Sequence, residues 1–270
     1  MTRESDVARS VTGQSVFRLH DVSKLFETDL PYLALDRVNL EVREGEFLCL
    51  LGASGCGKST LLSLLAGFEA PTGGLLQYRG KAIKSPDKSR VMFFQNASSV
   101  LLPWLTVEAN AEFGLRLQGV PMAQRRERAA ECLQLVGLFE HRSKYPGEIS
   151  GGMQQRLQIA RALAIEPDVF LMDEPFAALD AFTRRRMHTA LLDVWQRTGK
   201  TIVFVTHDIQ EAIVLADRIA IMNVGPGSNL KRIFEVDIPR PREPGDPAVG
   251  SLFRAVESDL DRDPRSDHVQ

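Results

Sequence analysis

A glycine-rich segment between an apolar run and a helical pattern carries the clearest chemical signal in this sequence. Residues 52–60 read Gly-Ala-Ser-Gly-Cys-Gly-Lys-Ser-Thr, which matches the spacing G-x-x-x-x-G-K-[ST]. Glycines let backbone N–H groups converge on phosphate oxygens, and the N-terminus of the following helix adds partial positive charge. We therefore predict a nucleoside triphosphate site, in which Lys58 binds the β- and γ-phosphates and Ser59 binds Mg²⁺. The predicted nucleotide-binding residues are Gly52, Ala53, Ser54, Gly55, Cys56, Gly57, Lys58, Ser59 and Thr60.

Two alternatives to this site are less consistent with the sequence. An ordinary glycine-rich turn is one, but the four fixed positions coincide by chance in roughly one chain of this size in a hundred. A dinucleotide-binding G-x-G-x-x-G loop is the other, and it is excluded because Ser54 stands where the second glycine is required.

Acidic residues and a histidine follow two other apolar runs. Asp173 and Glu174 come directly after the run 169–172. At the end of a strand, Asp173 can reach Mg²⁺ and Glu174 can polarise a water in line with the γ-phosphate. His207 follows the run 201–205, at the edge where open α/β sheets place ligands, which predicts a γ-phosphate contact. The remaining histidines lack such context and are interpreted as surface or packing residues: His20, His141, His188 and His268.

The elements that must position these residues alternate between strands and helices. Apolar runs at 46–51, 168–172 and 201–205 are typical of strands buried on both faces of a parallel sheet. The leucine-rich run 59–66 is typical of a helix. Further strand-like runs lie at 16–19, 38–42, 90–94 and 218–222. This alternation predicts an α/β fold made of βα units.

Changes in residue pattern and composition along the chain also indicate where the domain begins and ends. Between about 96 and 148 the patterns become helical, which predicts a helical subdomain inserted into the α/β core. The polar residues 1–15 are interpreted as a flexible leader, and 16–245 as the domain. The chain gains proline and charge toward 245, so 246–270 is predicted to be a peripheral tail.

Composition excludes several classes of protein. The 270 residues carry 33 Lys and Arg against 35 Asp and Glu, a formal net charge of −2, so bulk charge gives no support for a nucleic-acid partner. The three cysteines (Cys49, Cys56 and Cys132) form no CxxC pair, which disfavours a disulfide framework or zinc cluster and favours a reducing compartment. No apolar stretch approaches the 18 or so residues that span a bilayer, so we expect a soluble, cytoplasmic protein.

Together with the phosphate-binding loop and the acidic pair, four further segments resemble motifs of the ATP-binding subunits of ABC transporters. In chain order these are the Q-loop-like FFQN at 93–96, the signature-like ISGGM at 149–153, the D-loop-like AALD at 177–180 and the H-loop-like VTHD at 205–208. Their order and spacing extend the resemblance over nearly the whole chain. It implies a P-loop NTPase (RecA-like) core with an N-terminal antiparallel β subdomain and an inserted helical subdomain, the ABC ATPase fold.

The resemblance also assigns roles to residues. It implies catalytic roles for Glu174, His207 and Gln95, metal contacts from Ser59, Gln95 and Asp173, and ATP contacts from Phe26, Ser150, Gly151, Gly152 and Asp180. Phe26 lies where the family has its adenine-stacking aromatic, with a core residue of the N-terminal strands as the alternative. Met153 replaces the glutamine of the signature, which removes any nucleotide contact that needs an amide there.

Partners and location follow from the resemblance as well. It implies cofactors ATP and Mg²⁺, a homodimer of ATPase subunits with shared sites, permease transmembrane subunits, and a peripheral position on the cytoplasmic side of the cell (inner) membrane. The segment LLPW at 101–104 and the sequence at 238–242 look like the nitrate/sulfonate/taurine importer group. Such importers imply a small, anionic solute and a periplasmic or extracellular solute-binding protein.

Three alternatives within the same superfamily stay open to different degrees. A DNA-maintenance ATPase is disfavoured, because only 55 positions separate Gln95 from Ser150 and leave no room for a long coiled coil. A cluster-assembly ATPase and an exporter subunit are harder to exclude. Neighbouring genes for a permease and a secreted binding protein would separate them.

The segment 95–104 is predicted to dock onto a membrane permease. Leu101, Leu102 and Trp104 bring large apolar side chains next to Pro103, where a regular helix cannot bury all of them internally. Exposed apolar clusters mark partner surfaces, and tryptophan is a frequent anchor there. The alternative is that these side chains pack the core of the helical subdomain.

Overall fold

The computed structural model describes residues 13–93, 101–177 and 179–261. Its strands are β1 (Ser15–Phe26), β2 (Tyr32–Arg43), β3 (Phe47–Leu51), β4 (Gly73–Tyr78), β5 (Lys81–Ala82), β6 (Arg90–Phe93), β7 (Val169–Asp173), β8 (Thr201–Thr206), β9 (Arg218–Met222) and β10 (Leu230–Glu235). Its α-helices are α1 (Lys58–Ala66), α2 (Val107–Leu117), α3 (Met122–Leu135), α4 (Gly151–Ala164), α5 (Ala181–Thr198), α6 (Ile209–Leu215) and α7 (Pro247–Asp261). Short 3₁₀ turns lie at Phe139–His141 and Pro146–Glu148.

The strands form two sheets of different character. A 4-stranded antiparallel sheet has the order β2-β1-β4-β5, and a 6-stranded sheet has the order β10-β9-β3-β8-β7-β6. In the larger sheet β9, β3, β8, β7 and β6 are parallel, and β10 pairs antiparallel with β9. The predicted parallel core and N-terminal antiparallel subdomain are confirmed.

The central strands of the larger sheet are buried on both faces. Each residue of β3 and β8 is buried, which is why their sequences read as continuous apolar runs. Alternation along β3 sends Phe47, Cys49 and Leu51 into one hydrophobic cluster and Leu48 and Leu50 into another. The sheet therefore separates two cores, and the carboxyl ends of its parallel strands meet at one edge.

The two N-terminal strands are longer than the runs at 16–19 and 38–42 that predicted them. β1 and β2 each span 12 residues, and their outward-facing positions are polar while the inward-facing ones are buried. A sheet that faces water on one side alternates in this way, so its strands contain fewer consecutive apolar residues and are harder to recognise from sequence.

The predicted helical subdomain is inserted between β6 and β7, which pair side by side in parallel. α2, α3 and α4 pack against one another, so this bundle of helices continues beyond position 148. Gly114 allows the close approach of α2 to the end of α4, since a Cβ there would lie 2.4 Å from Cγ2 of Ile165.

The chain after 245 forms a helix within the described residues. α7 packs against α6 and buries Val249 and Val256. None of the helices in the described ranges has the length and apolar character needed to cross a bilayer.

Candidate active site

The glycine-rich loop connects the buried strand β3 to α1 and curls around the side chain of Lys58. The Lys58 Nζ donates hydrogen bonds to the carbonyl oxygens of Gly52 and Ala53, both at 2.7 Å, and the residue is only 5% exposed. Gly57 begins the helix with φ 86°, and a Cβ there would lie 2.8 Å from Cδ2 of Leu35. The loop conformation therefore requires glycine at 57 and keeps the ammonium group inside the turn.

Parallel pairing brings the acidic pair to the same edge of the sheet as this loop. Asp173 ends β7, and Ser59 lies close enough to its carboxyl group to lower the pKa of Asp173. Burial raises the pKa of Asp173, and the neighbouring Glu174 charge raises it further, against the lowering effect of Ser59 and Lys58. Two carboxylates crowded into a poorly solvated edge form a site that a cation would stabilise.

Glu174 and His207 face each other at the ends of β7 and β8. The distance between His207 Nδ1 and Glu174 Oε2 is 3.1 Å. Glu174 has φ 44°, a left-handed conformation that costs a non-glycine residue on the order of 1–3 kcal/mol, and its N–H donates to the carbonyl oxygen of Val205 at 3.1 Å. Strain of this kind persists only where the surroundings impose it, which here fixes the carboxylate beside the histidine.

Phe26 lies at the end of β1 and is partly buried against the second core. The Nζ of Lys24 lies 4.8 Å from the centroid of the Phe26 ring, and that ammonium group is bound by Glu69 Oε2 at 2.6 Å and by the Ala70 carbonyl at 3.0 Å. A cation over one face fixes the orientation of the ring. The adenine-stacking role of Phe26 stays a prediction.

The signature segment lies at the start of α4 and lines a cavity there. Ser150 caps α4 by accepting a hydrogen bond from the Met153 N–H at 3.4 Å, and Asp180 caps α5 by accepting from the N–H of Phe182 and of Thr183. Hydrogen bonds from Thr183 hold the pKa of Asp180 below its usual value. A cavity of about 820 Å³ is lined by Ser150, Gly151, Gly152, Met153, Asp180, Arg156 and Arg186, among others.

The structure thus divides the predicted site residues into two groups. Lys58, Ser59, Asp173, Glu174 and His207 converge at one sheet edge. Among the described residues that line the cavity at the signature, none comes from the loop 52–60. Gln95, predicted to have a catalytic role and a metal contact, lies outside the described residues.

The apolar cluster predicted at 101–104 is divided by the fold. Leu101 is 4% exposed and belongs to the main core, so its assignment to an exposed cluster was wrong; Trp104 is 71% exposed. The fully buried Asn110 holds this turn, since its amide donates to the carbonyl oxygens of Leu102 and Leu105 and accepts from the Leu102 N–H. The local sequence gives no indication of which apolar side chain faces the core.

A second histidine, His188, for which the sequence predicts only a surface or packing role, belongs to a buried polar network. His188 Nε2 lies 2.6 Å from Glu211 Oε1, and the hydroxyl of Thr206 donates to Glu211 Oε2 at 2.5 Å. The spacing from Asp208 to Glu211 at the start of a helix is a capping signal that points to part of this network. The position of His188 on α5 carries no such signal.

Sequence comparison agrees with this geometry. A family model described as "ABC transporter" matches residues 35–177, which is more than half of the chain and includes the loop, the signature segment and the acidic pair. The chain belongs to the ABC transporter family. As an ABC ATPase it binds and hydrolyses ATP.

Several proteins resemble this ABC ATPase over most of its length. It is 43% identical over 247 residues to the bicarbonate transport ATP-binding protein CmpD of Synechococcus elongatus, covering 90% of this chain and 88% of that protein. It is 46% identical over 211 residues to the nitrate import ATP-binding protein NrtD of Synechocystis sp., covering 78% of each. A solved ATP-binding cassette, described as a dimer in a post-hydrolysis state with ADP and phosphate, matches with a TM-score of 0.72 and 33% identity, covering 83% of this chain and 100% of that one.

Proposed function

We propose that this ABC ATPase works as a homodimer that energises the import of a small inorganic or organic anion through a membrane permease. The observation that carries the proposal is that, among the described residues, the loop 52–60 contributes nothing to the cavity at Ser150, because a complete site then needs a second copy. The dimeric state of the solved relative supports this arrangement. Each ATP is bound between the loop 52–60 of one copy and the signature segment of the other.

The residues at the sheet edge fit Mg²⁺. Hydroxyl and carboxylate oxygens are the ligands that this cation prefers, and Ser59 and Asp173 offer them side by side. When bound, Mg²⁺ neutralises charge on the β- and γ-phosphate oxygens. Lys58 binds the same phosphates, and Glu174 accepts a proton from the attacking water. His207 contacts the γ-phosphate and also holds the Glu174 carboxylate in line.

The importer assignment rests on the relatives and on the exposed Trp104. The two relatives described above are named for bicarbonate transport and nitrate import, and both of these solutes are small anions. We propose a peripheral position for the chain on the cytoplasmic face of the membrane, with a solute-binding protein outside, and the names of the relatives support this proposal. The solute is set by those other subunits, so it requires a direct measurement.

Deletion of the gene is expected to abolish uptake of one small anion by the source organism. Uptake of labelled nitrate, bicarbonate and taurine is measured in the deletion strain, with a neutral sugar as control. Wild-type protein restores the lost uptake and the Glu174→Gln variant does not, because transport requires ATP hydrolysis. Unchanged uptake of all three anions contradicts the importer assignment.

Replacing Trp104 by alanine is expected to uncouple hydrolysis from transport. Trp104 is largely exposed on a turn that Asn110 holds rigid, so its removal leaves the core intact while it deletes the anchor for the permease. Basal ATPase activity and unfolding free energy stay close to wild type, and transport and permease-stimulated ATPase activity are lost. Basal ATPase activity and unfolding free energy are measured on the purified protein, and transport and permease-stimulated ATPase activity on membrane vesicles.

Leu101→Ala is the matched control, since it removes a neighbouring apolar side chain that is buried. It is expected to lower the free energy of unfolding by about 2–5 kcal/mol. Should the Trp104 variant fold normally and still couple ATP hydrolysis to transport, the docking assignment is wrong.

A further inference from the structure

A series of buried polar contacts connects α5 to the turn that carries His207. His188 has a side chain only 13% exposed, and its Nε2 lies 2.6 Å from Glu211 Oε1. The other carboxylate oxygen of Glu211 accepts a hydrogen bond from the hydroxyl of Thr206, the residue that precedes His207. The N–H of Asp208, on the other side of His207, donates to the same Thr206 hydroxyl at 3.0 Å. The chain of contacts therefore encloses the His207 turn from both sides.

His188 also touches the segment that follows the catalytic carboxylate. The ring of Phe176, two residues after Glu174, lies 5.6 Å from the His188 ring between centroids and is buried. The His188 side chain on α5 therefore contacts the segment after β7 directly, and the segment after β8 through Glu211 and Thr206. Those are the two segments that hold Glu174 and His207 at 3.1 Å.

We propose that His188 is a positioning residue for ATP hydrolysis, which acts through Glu211 and Thr206 to hold His207 against Glu174. The proposal rests on the proposed roles of Glu174 and His207 and goes beyond them. Among the described residues, His188 has no recorded contact with the nucleotide-binding loop. It determines the geometry of the Glu174–His207 pair indirectly, through Glu211 and Thr206. A buried carboxylate that accepts hydrogen bonds from both a hydroxyl and a ring N–H has its orientation fixed by those two partners. Removal of one partner therefore also loosens the position of the other.

The neighbourhood of His188 explains why Glu211 is its partner. Arg184 on the same helix is engaged by Asp208 at 3.6 Å and by the Leu179 carbonyl at 3.0 Å, and Arg240 is engaged by Asp217 at 2.9 Å. Among the described residues, Arg242 donates its hydrogen bonds to backbone carbonyls. These three arginines near His188 are thereby directed to other acceptors, which leaves the Glu211 carboxylate to His188 and Thr206.

His188→Leu tests the proposal in the purified full-length protein. It keeps the volume of the side chain and deletes the hydrogen bond to Glu211. We expect kcat for MgATP hydrolysis to fall roughly 10-fold to 100-fold, the scale of small misplacements of catalytic groups, with KM and ATP affinity within twofold of wild type. His188→Gln, whose amide N–H can donate to Glu211, is expected to recover most of the lost kcat.

A second variant interrupts the same series of contacts one residue nearer to His207. Thr206→Val deletes the hydroxyl at nearly equal volume and is expected to reduce kcat to a similar extent. The double variant with His188→Leu is expected to be no slower than the slower single variant, because both act on one chain of contacts. Thr189→Ala, an exposed neighbour on α5, is the control and keeps wild-type kcat.

Several results overturn the proposal. These are wild-type kcat in His188→Leu, a glutamine variant as slow as the leucine variant, a KM that rises in proportion to the loss of kcat, or additive losses in the double variant. If His188→Leu does not fold, Thr206→Val and His188→Gln decide the question alone. Loss of turnover in Glu174→Gln establishes the catalytic pair independently, so failure of this proposal is distinguishable from failure of the ATPase mechanism.

Discussion

Replacing Glu174 by glutamine is expected to leave MgATP binding intact and to lower kcat roughly 10²-fold to 10⁴-fold, the contribution of a positioned general base. The glutamine side chain has the same shape and can keep the contact with His207, but it cannot accept a proton from water. Because hydrolysis reopens the dimer, the variant accumulates as an ATP-bound dimer. Turnover is measured by phosphate release, and the dimer by size-exclusion chromatography with and without MgATP.

Glu166→Gln provides a closely matched control for that experiment. Glu166 is a glutamate that also adopts a positive φ, of 51°, and its charge pairs with Arg128 at 2.8 Å on the surface. Loss of such an exposed pair costs at most about 1 kcal/mol. Glu166→Gln therefore keeps wild-type turnover. Near-normal turnover in Glu174→Gln itself would remove Glu174 from the role of base.

Mixing a Lys58→Ala variant with a Ser150→Asp variant is expected to restore ATPase activity that neither has alone. Lys58→Ala removes a charge-assisted contact to phosphate, and such contacts contribute about 1.5–3 kcal/mol, so ATP affinity falls roughly 10-fold to 100-fold. Ser150→Asp keeps a good cap for α4 and places a negative charge where the partner's γ-phosphate would lie. Each homodimer then has two defective sites.

The mixed dimer distinguishes a shared site from a site within one chain. In a head-to-tail dimer, the intact Lys58 of one copy faces the intact Ser150 of the other, so one site of two is complete. Random exchange makes about half of the dimers mixed, and the expected activity is about a quarter of wild type. Activity is measured against the fraction of mixed dimers, determined with two affinity tags.

Thr106→Asp replaces Ser150→Asp in the control mixture. Thr106 caps α2 by accepting from the Ala109 N–H at 3.2 Å, so it tests the same chemical change at another helix start. This variant alone keeps its activity. Confirmed mixed dimers of Lys58→Ala with Ser150→Asp that remain as inactive as their parents contradict the shared site.

The amino-acid sequence by itself determined the phosphate-binding loop, the acidic pair and the parallel core. The loop 52–60 is contiguous, and its chemistry uses backbone groups that glycines and the start of α1 arrange locally, so spacing alone was informative. β3, β7 and β8 were recognisable because strands buried on both faces must be apolar throughout. β4, β5 and β10 were not identified, because their exposed positions interrupt the apolar pattern.

Only the tertiary structure decided which side chains face the core and which distant groups meet. Leu101 and Trp104 are three residues apart and equally apolar, yet one is buried and the other exposed because Asn110 fixes the turn between them. His188 and Glu211 lie on separate helices, and their contact depends on how α5 and α6 are placed against the sheet. Which residues share the cavity at Ser150 is likewise a property of packing. Local spacing fixes backbone geometry, whereas contacts between elements far apart in the chain arise only when those elements bury their apolar faces together.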